Sequence, residues 1–378
     1  MSTEAQQRAA DAVRPRPELT ARRVLVTGAA TYWGGRLAQA LEAFPEVEAI
    51  IAVDSADPTR EFERAEYVRV SNQHTLIKKI VQAATIDTVI DTRLVVDSAA
   101  AAPREAHENN VMGTLNILAA CEGEGSPVSK FIFKSSAHYY GCEQDDPAFF
   151  TESQRRPHPP QTPIERDIVD AETAVAEFAE RETGVTVSVL RCVNVLGPEI
   201  TTSHARMFAL PVVPMVLGFD PRYQFVHSDD VVHALEHAVL HNVPGVFNVA
   251  ADGVLALSEV IDLLGKRSAP ILPPWGTNLI SIPLRRAGLR IPNEMLAQMK
   301  FGRALDNSKL KSTGFGYRFT TVEAVQAFGD HLRLNPVLKR SQGEYTYERE
   351  VEEFLRWSPN VRRASGKGAS DSDEPFGI

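Results

Sequence analysis

The chain has 378 residues, a length that allows two domains or one large α/β domain. Forty Lys and Arg against 49 Asp and Glu leave a formal net charge of −9, which argues against nucleic acid or an anionic membrane as the main partner, because both need a concentrated basic surface. Three cysteines, Cys121, Cys142 and Cys192, without C-x-x-C spacing, argue against a disulfide framework or a thiolate zinc site and fit a reducing cytosol.

Residues 1–21 are polar and read as a disordered tail with no apolar core of the signal-peptide kind. The longest apolar stretch, Phe208 to Phe219, is broken by Pro211 and Pro214 and is too short to span a bilayer, so a cytoplasmic protein is expected. Strand-like β-branched runs follow at Val24–Thr27, Ile50–Val53, Tyr67–Val70, Thr88–Ile90, Phe131–Phe133, Val185–Leu190 and Val246–Val249. Helical patterns separate them at Gly35–Phe44, Thr75–Ala84, Arg104–Ala120, Glu165–Glu182 and Asp229–Leu240. Buried strands joined by helical crossovers predict a doubly wound parallel sheet, that is, an α/β Rossmann domain over 22–198 completed by 226–251. Residues 199–225 and 252–332 are proline-rich and lack this rhythm, and they predict a smaller substrate lobe. A charged helical extension over 333–358, with Tyr347, Val351, Phe354 and Leu355 on its packing side, precedes a disordered tail at 359–378.

The first strand runs into Thr27-Gly28-Ala29-Ala30-Thr31-Tyr32-Trp33-Gly34-Gly35 and then a helix. A glycine at the strand end permits a tight turn, one at the helix start permits close packing, and the free helix amides can face a dinucleotide pyrophosphate. The second strand ends in Asp54, which can accept both ribose hydroxyls and would repel a 2′-phosphate by a few kcal/mol. No basic residue lies between Gly28 and Gly35, so NAD is favoured over NADP. A βαβ unit without a ligand is the competing interpretation of the same residues.

With these residues in view, the chain resembles the extended short-chain dehydrogenase/reductases, in the NAD-dependent nucleotide-sugar epimerase and dehydratase branch. The family's T-G-x-x-G-x-x-G is matched by Thr27, Gly28 and Gly34, with Thr31 in place of the middle glycine. Asn110-Val111-Met112-Gly113-Thr114 resembles N-V-x-G-T, and Ser135-Ser136-Ala137-His138-Tyr139-Tyr140-Gly141 resembles S-S-x-x-x-Y-G. Leu190 to Pro198 resembles L-R-x-x-N-x-x-G-P, Phe225 to Val231 F-V-H-x-x-D-V, and Gly245 to Val249 G-x-x-N-[IV]. The motifs keep the family's order over roughly 22–332.

The resemblance implies hydride transfer assisted by Tyr-x-x-x-Lys on one helix face, where the lysine lowers the tyrosine pKa, and by a Ser on the preceding strand end. Ser136 falls on the serine, but Ile164 and Ile168 fall on the tyrosine and lysine, with Glu172 on the glutamate that follows. Loss of a positioned acid/base costs 10²- to 10⁴-fold in rate. The resemblance further implies cofactor contacts at Gly28, Thr31, Tyr32, Trp33, Gly34, Asp54, Ser71, Asn72, Arg93 and Asn110, and substrate contacts at Ser136, Asn194 and Arg222. The Thr31 hydroxyl is an alternative phosphate donor. Asp91 and Arg93 form a buried neighbourhood that replaces lost cofactor contacts, or Arg93 occupies part of the dinucleotide site as a built-in cation, or the two make a surface salt bridge. Cys142 beside His138 reads as incidental without a third orienting group, and Glu143, Asp145 and Asp146 read as a solvated loop, with no metal site.

Two functions stay open. One is an NAD-dependent, nucleotide-sugar epimerase-like protein with impaired or altered hydride transfer, for which Glu165, Asp167 or His138 would move protons. The other is a non-catalytic NAD(H) or nucleotide-sugar sensor, or a structural subunit. The resemblance also implies a homodimer through the helices at 104–120 and 165–182.

Overall fold

The computed structural model describes residues 21–70, 74–271 and 292–334. The expected tails, apart from Ala21, the C-terminal extension beyond residue 334, and Ser71 and Asn72 lie outside the described residues. Ala21, just ahead of the first strand, is fully buried. Residues up to Gly329 belong to one compact unit; of the second, which begins at Asp330, only 330–334 are described, all helical.

Seven parallel strands form the central sheet: β1 (Arg23–Thr27), β2 (Ala49–Asp54), β3 (Glu66–Arg69), β4 (Thr88–Asp91), β5 (Lys130–Ser136), β6 (Thr186–Cys192) and β11 (Gly245–Val249). Their order is β11-β6-β5-β4-β1-β2-β3, which reverses direction between β1 and β4. Ligands of open α/β sheets bind at such a reversal, outside the strands' C-terminal ends. Side chains alternate along each strand, so Val24 and Val26 join one apolar core while Leu25 joins the other. The first core is covered by helices α1 (Tyr32–Leu41) and α7 (Ser228–Leu240). The second is covered by α2 (His74–Ala83), α4 (Gly113–Cys121) and α5 (Pro163–Arg181).

Helix boundaries follow local chemistry. Helix α5 starts two residues before its apolar pattern because Thr162 caps it by accepting the Glu165 amide at 3.3 Å and Pro163 occupies the first turn. The pattern expected as one helix over 104–120 is divided into α3 (Pro103–His107), a π-helical turn (Glu108–Met112) and α4. The remaining residues build short paired strands, β7 (Asn194–Leu196) with β10 (Phe225–His227), β8 (Val212–Val216) with β13 (Arg267–Ile271), and β9 (Arg222–Tyr223) with β12 (Leu255–Ala256). Helices α6 (Ser203–Ala209), α8 (Leu257–Leu263), α9 (Asn293–Phe301) and α10 (Ser308–Ser312) lie among them. Among the described residues no helix is long and apolar enough to cross a membrane.

Candidate functional site

Two cavities open at the C-terminal ends of the sheet strands and share Thr31, Arg93 and Val95. The first, of about 340 Å³, lies between the ends of β1 and β2 and the Glu105–Asn109 turn, and includes Thr27, Asp54, Ser55 and Asn109. The second, of about 290 Å³, is lined by Tyr32 and Trp33, by Lys134 and Ser136 of β5 and His138 just after it, by Asn194, and by Ser203, His204, Glu294 and Arg303.

Gly28 takes φ +84°, and a Cβ on Gly34 would collide with the Gly28 carbonyl, so both motif glycines are required for the loop's path. Thr31 has a different use from the one expected. Its hydroxyl donates to the Gly28 carbonyl at 2.7 Å and accepts the Gly34 amide at 3.2 Å, capping α1, and so is committed within the loop. The first-turn amides of Tyr32 and Trp33 have no intrahelical acceptor, as at any helix start. Asp54 accepts the Ala30 amide at 2.9 Å and the Ser55 amide at 2.6 Å, which fixes its carboxylate on the rim of the first cavity.

The Asp91–Arg93 pair is buried, which corrects the surface-bridge alternative. Asp91 is 1% exposed and the Arg93 side chain 10%. Arg93 Nε and Nη2 donate to the two carboxylate oxygens at 3.1 and 3.0 Å, and Thr27 Oγ1 donates at 2.9 Å. Burial alone would raise the Asp91 pKa, but the guanidinium holds it below the usual carboxylate value. Arg93 packs over Gly113, where a Cβ would come within 2.6 Å of Nη1. The guanidinium therefore stands between the two cavities with a fixed orientation.

Asn110, expected against the cofactor, is fully buried and lines neither cavity. Its amide clamps the Val95 backbone, accepting N–H and donating to C=O at 2.7 Å each, while its neighbour Asn109 lines the cavity. Arg222 is exposed and lines neither cavity; the next residue, Tyr223, is the buried one. Asn194 is on the wall and donates to the Gln224 carbonyl at 3.3 Å.

Ile164 and Ile168 are 2% and 0% exposed and sit in the core with Leu94, Phe133 and Val189, lining neither cavity. On the wall, Ser136 Oγ lies 2.9 Å from His138 Nδ1 and accepts the His138 backbone amide at 3.2 Å. Burial, together with the charges of Arg303, His204 and Arg156, pushes His138 well below the ordinary imidazole pKa. The ring is therefore neutral and can accept the Ser136 proton at Nδ1. Beneath Ser135 and Ser136, Glu172 forms a buried pair with Arg191 (Nη2–Oε2 2.6 Å) and receives the Ser135 hydroxyl. Arg191 stacks over the Tyr139 ring at 3.5 Å, fixing the loop that carries His138. Cys142 is no nucleophile here: its thiol donates to the Gly302 carbonyl at 2.9 Å and burial pushes its pKa up to about 12. Of the alternative proton carriers, Glu165 pairs with Arg156 (2.6 Å) and Asp167 with His107 (2.8 Å), both away from the cavities. Among the described residues no cluster of metal-ligating groups occurs.

Three wall residues went unnoticed in the sequence. Lys134, 2% exposed, lies 4.5 Å over the Trp33 ring, and burial lowers its pKa. Its signal was a charge at the end of the apolar run Phe131-Ile132-Phe133. His204 and Arg303 come from segments without periodicity and carried none.

The sequence matches the model of the NAD dependent epimerase/dehydratase family over residues 24–250. An uncharacterized protein of Mycobacterium tuberculosis (strain ATCC 25618 / H37Rv) is 35% identical over 332 residues, covering 83% of this chain and 85% of its own. In fold, the chain is similar to the UDP-glucose 4-epimerase of Thermotoga maritima solved with UDP-glucose (TM-score 0.63, 21% identity, 83% of this chain and 99% of that one). It is equally similar to DesIV, a dTDP-glucose 4,6-dehydratase of Streptomyces venezuelae solved with NAD (TM-score 0.64, 19% identity, 83% and 97%). With its doubly wound sheet, glycine loop and strand-end cavities, the chain belongs to the NAD dependent epimerase/dehydratase family.

Proposed function

We propose that the protein binds NAD(H) across the first cavity and its junction with the second, and a nucleotide sugar in the second, with the family's usual hydride-transfer chemistry impaired or altered. The observation that carries this reading is a wall with cofactor-type groups and, among the described residues, no Tyr-x-x-x-Lys helix pair. Asp54 and the α1 residues Tyr32 and Trp33 line the cavities, whereas Ile164 and Ile168 are sealed in the core. The donor set fits a dinucleotide: Asp54 for ribose hydroxyls, the helix start and Arg93 for the diphosphate, and Trp33 beside Lys134 further along.

When bound, NAD supplies a hydride acceptor. The chain's own contribution to proton transfer is the Ser136–His138 pair, in which Ser136 can accept a substrate hydroxyl proton while passing its own to Nδ1. A histidine held well below its ordinary pKa is a weak base, so slow proton transfer is the expectation. That weakness favours a second reading, a non-catalytic NAD(H) or nucleotide-sugar sensor or structural subunit. The exposed Met112 and Leu115 are compatible with a homodimer through this face.

A thermal-shift titration with NAD, NADH and NADP tests the cofactor, because a ligand at a hundred times its Kd stabilises by about 2.7 kcal/mol. A rise with NAD but not NADP is expected; no rise with any dinucleotide refutes the proposal. Turnover of UDP- and dTDP-sugars by the NAD-loaded protein then separates enzyme from sensor.

A further inference from the structure

Strand β5 carries a lysine into the second cavity where the preceding residues are apolar. Lys134 ends the run Phe131-Ile132-Phe133, is 2% exposed, and lines the cavity with Ser136. Side chains two apart on a strand share a face, so Lys134 and Ser136 stand on one side of the sheet, beside Leu190 and Cys192 of β6. Over them α1 places Trp33, with the Lys134 Nζ 4.5 Å from the ring centroid. Among the described residues Lys134 makes no hydrogen bond and no ion pair. Two carboxylates share the cavity, but both are turned to backbone: Asp97 accepts the Ala99 and Ser203 amides, and Glu294 accepts the Ser98 amide. Neither is among the charges that act on Lys134; the group that does is the Cys192 thiol, which burial pushes up and keeps neutral. Of the other buried cations on this wall, Arg93 pairs with Asp91, and Glu165 and Asp146 act on Arg303. Lys134 is thus the buried cation held by an aromatic face in place of a carboxylate. Burial lowers its pKa, whereas the Trp33 face favours its charged form.

A cation in that position discriminates by charge. A dinucleotide held at Asp54 and the start of α1 continues into the second cavity, because the two cavities join at Thr31, Arg93 and Val95. Its nicotinamide end then meets the wall of Trp33, Lys134 and Ser136. That ring is a cation when oxidised and neutral when reduced. We propose that Lys134 makes the site selective for the reduced cofactor, so that the protein takes NADH in preference to NAD⁺. This deepens the reading of the cavities as an NAD(H) site and rests on it. The adenosine half and the diphosphate are the same in both forms, so their contacts with Asp54, α1 and Arg93, and any attraction of the diphosphate for Lys134, cancel in the comparison. What remains is the repulsion between the ammonium and the oxidised ring. At protein-surface dielectric, like charges on neighbouring groups change an affinity by about tenfold or more. Such selectivity favours the sensor reading, since occupancy then follows the ratio of reduced to oxidised cofactor.

The test is calorimetric titration of the full-length protein, freed of bound dinucleotide, with NADH and with NAD⁺ at pH 7. NADH is expected to bind about tenfold or more tightly. Lys134→Met removes the charge and keeps most of the stem, and it should bring the two affinities together by tightening NAD⁺. Lys134→Arg keeps a charge at every pH and should retain the preference. Should Lys134→Met fail to fold, Lys134→Gln makes the same comparison. Equal affinities in the wild type overturn the inference and leave the NAD(H) reading standing, and so does a preference that survives unchanged in the uncharged variant. If neither NADH nor NAD⁺ binds, the reading and the inference fall together.

Discussion

Replacing Ile168 with lysine tests whether the usual catalytic position has really been withdrawn from the cleft. Ile168 is fully buried among Leu94, Phe133 and Val189, and it lines neither cavity. A lysine placed there must lose its proton: holding it neutral at pH 7 against an ordinary pKa of about 10.4 costs about 4–5 kcal/mol, at 1.36 kcal/mol per unit. The sign follows from the folded pKa being depressed. The penalty is largest below the folded-state pKa and disappears as pH rises through 10.4, so at pH 9.5 it should be only about 1 kcal/mol. For a chain of this size the melting midpoint should drop by about 8–10 °C at pH 7 and by about 2–3 °C at pH 9.5. Thermal melts of Ile168→Lys beside Ile168→Met at both pH values measure this, the Met variant absorbing the packing change. An unchanged midpoint at pH 7 would mean that the ammonium reaches water or a carboxylate, hence that position 168 opens on the cleft, and the argument for a withdrawn catalytic pair would fail.

Three further outcomes follow from particular contacts. Asp54→Asn should narrow the preference for NAD over NADP by about tenfold or more in titrations, because the charge that repels a 2′-phosphate is gone; an unchanged ratio would place the discrimination elsewhere. Glu172→Gln leaves Arg191 buried without its carboxylate and should cost about 3–5 kcal/mol in urea unfolding, whereas a loss under about 1 kcal/mol would show that water reaches the pair. His204 and His237 are both held down to about 4, chiefly by burial, so unfolding takes up protons and stability should fall as pH drops from 6.5 toward 4; His237→Gln should make that fall shallower, and an unchanged slope would remove His237 from the account.

How much of the molecule was legible in its sequence depended on the distance over which each signal acts. The strands were visible because runs such as Val24-Leu25-Val26 are apolar on both faces, which only a doubly covered parallel sheet requires. The glycine loop and the Asp54 strand end were visible because a tight turn and a helix start are settled by neighbouring residues. The expectation that Ile164 and Ile168 stand at the Tyr and Lys positions came from the family's pattern, in which a spacing of four puts both on one helix face. What tertiary structure alone decided was where separated segments meet. Asp91 and Arg93, two residues apart, could have faced water, and only the sheet at Thr27 and the close approach of Gly113 make the pair internal. Asn110 kept its family motif but serves the Val95 backbone, since a buried amide bonds whatever the fold brings within reach. Arg303 reaches Gly141 across 162 positions of sequence with no local pattern to announce it. Hydrophobic periodicity encodes burial, and burial determines the fold, whereas the chemistry of a cavity wall depends on which polar side chains the finished fold leaves without partners.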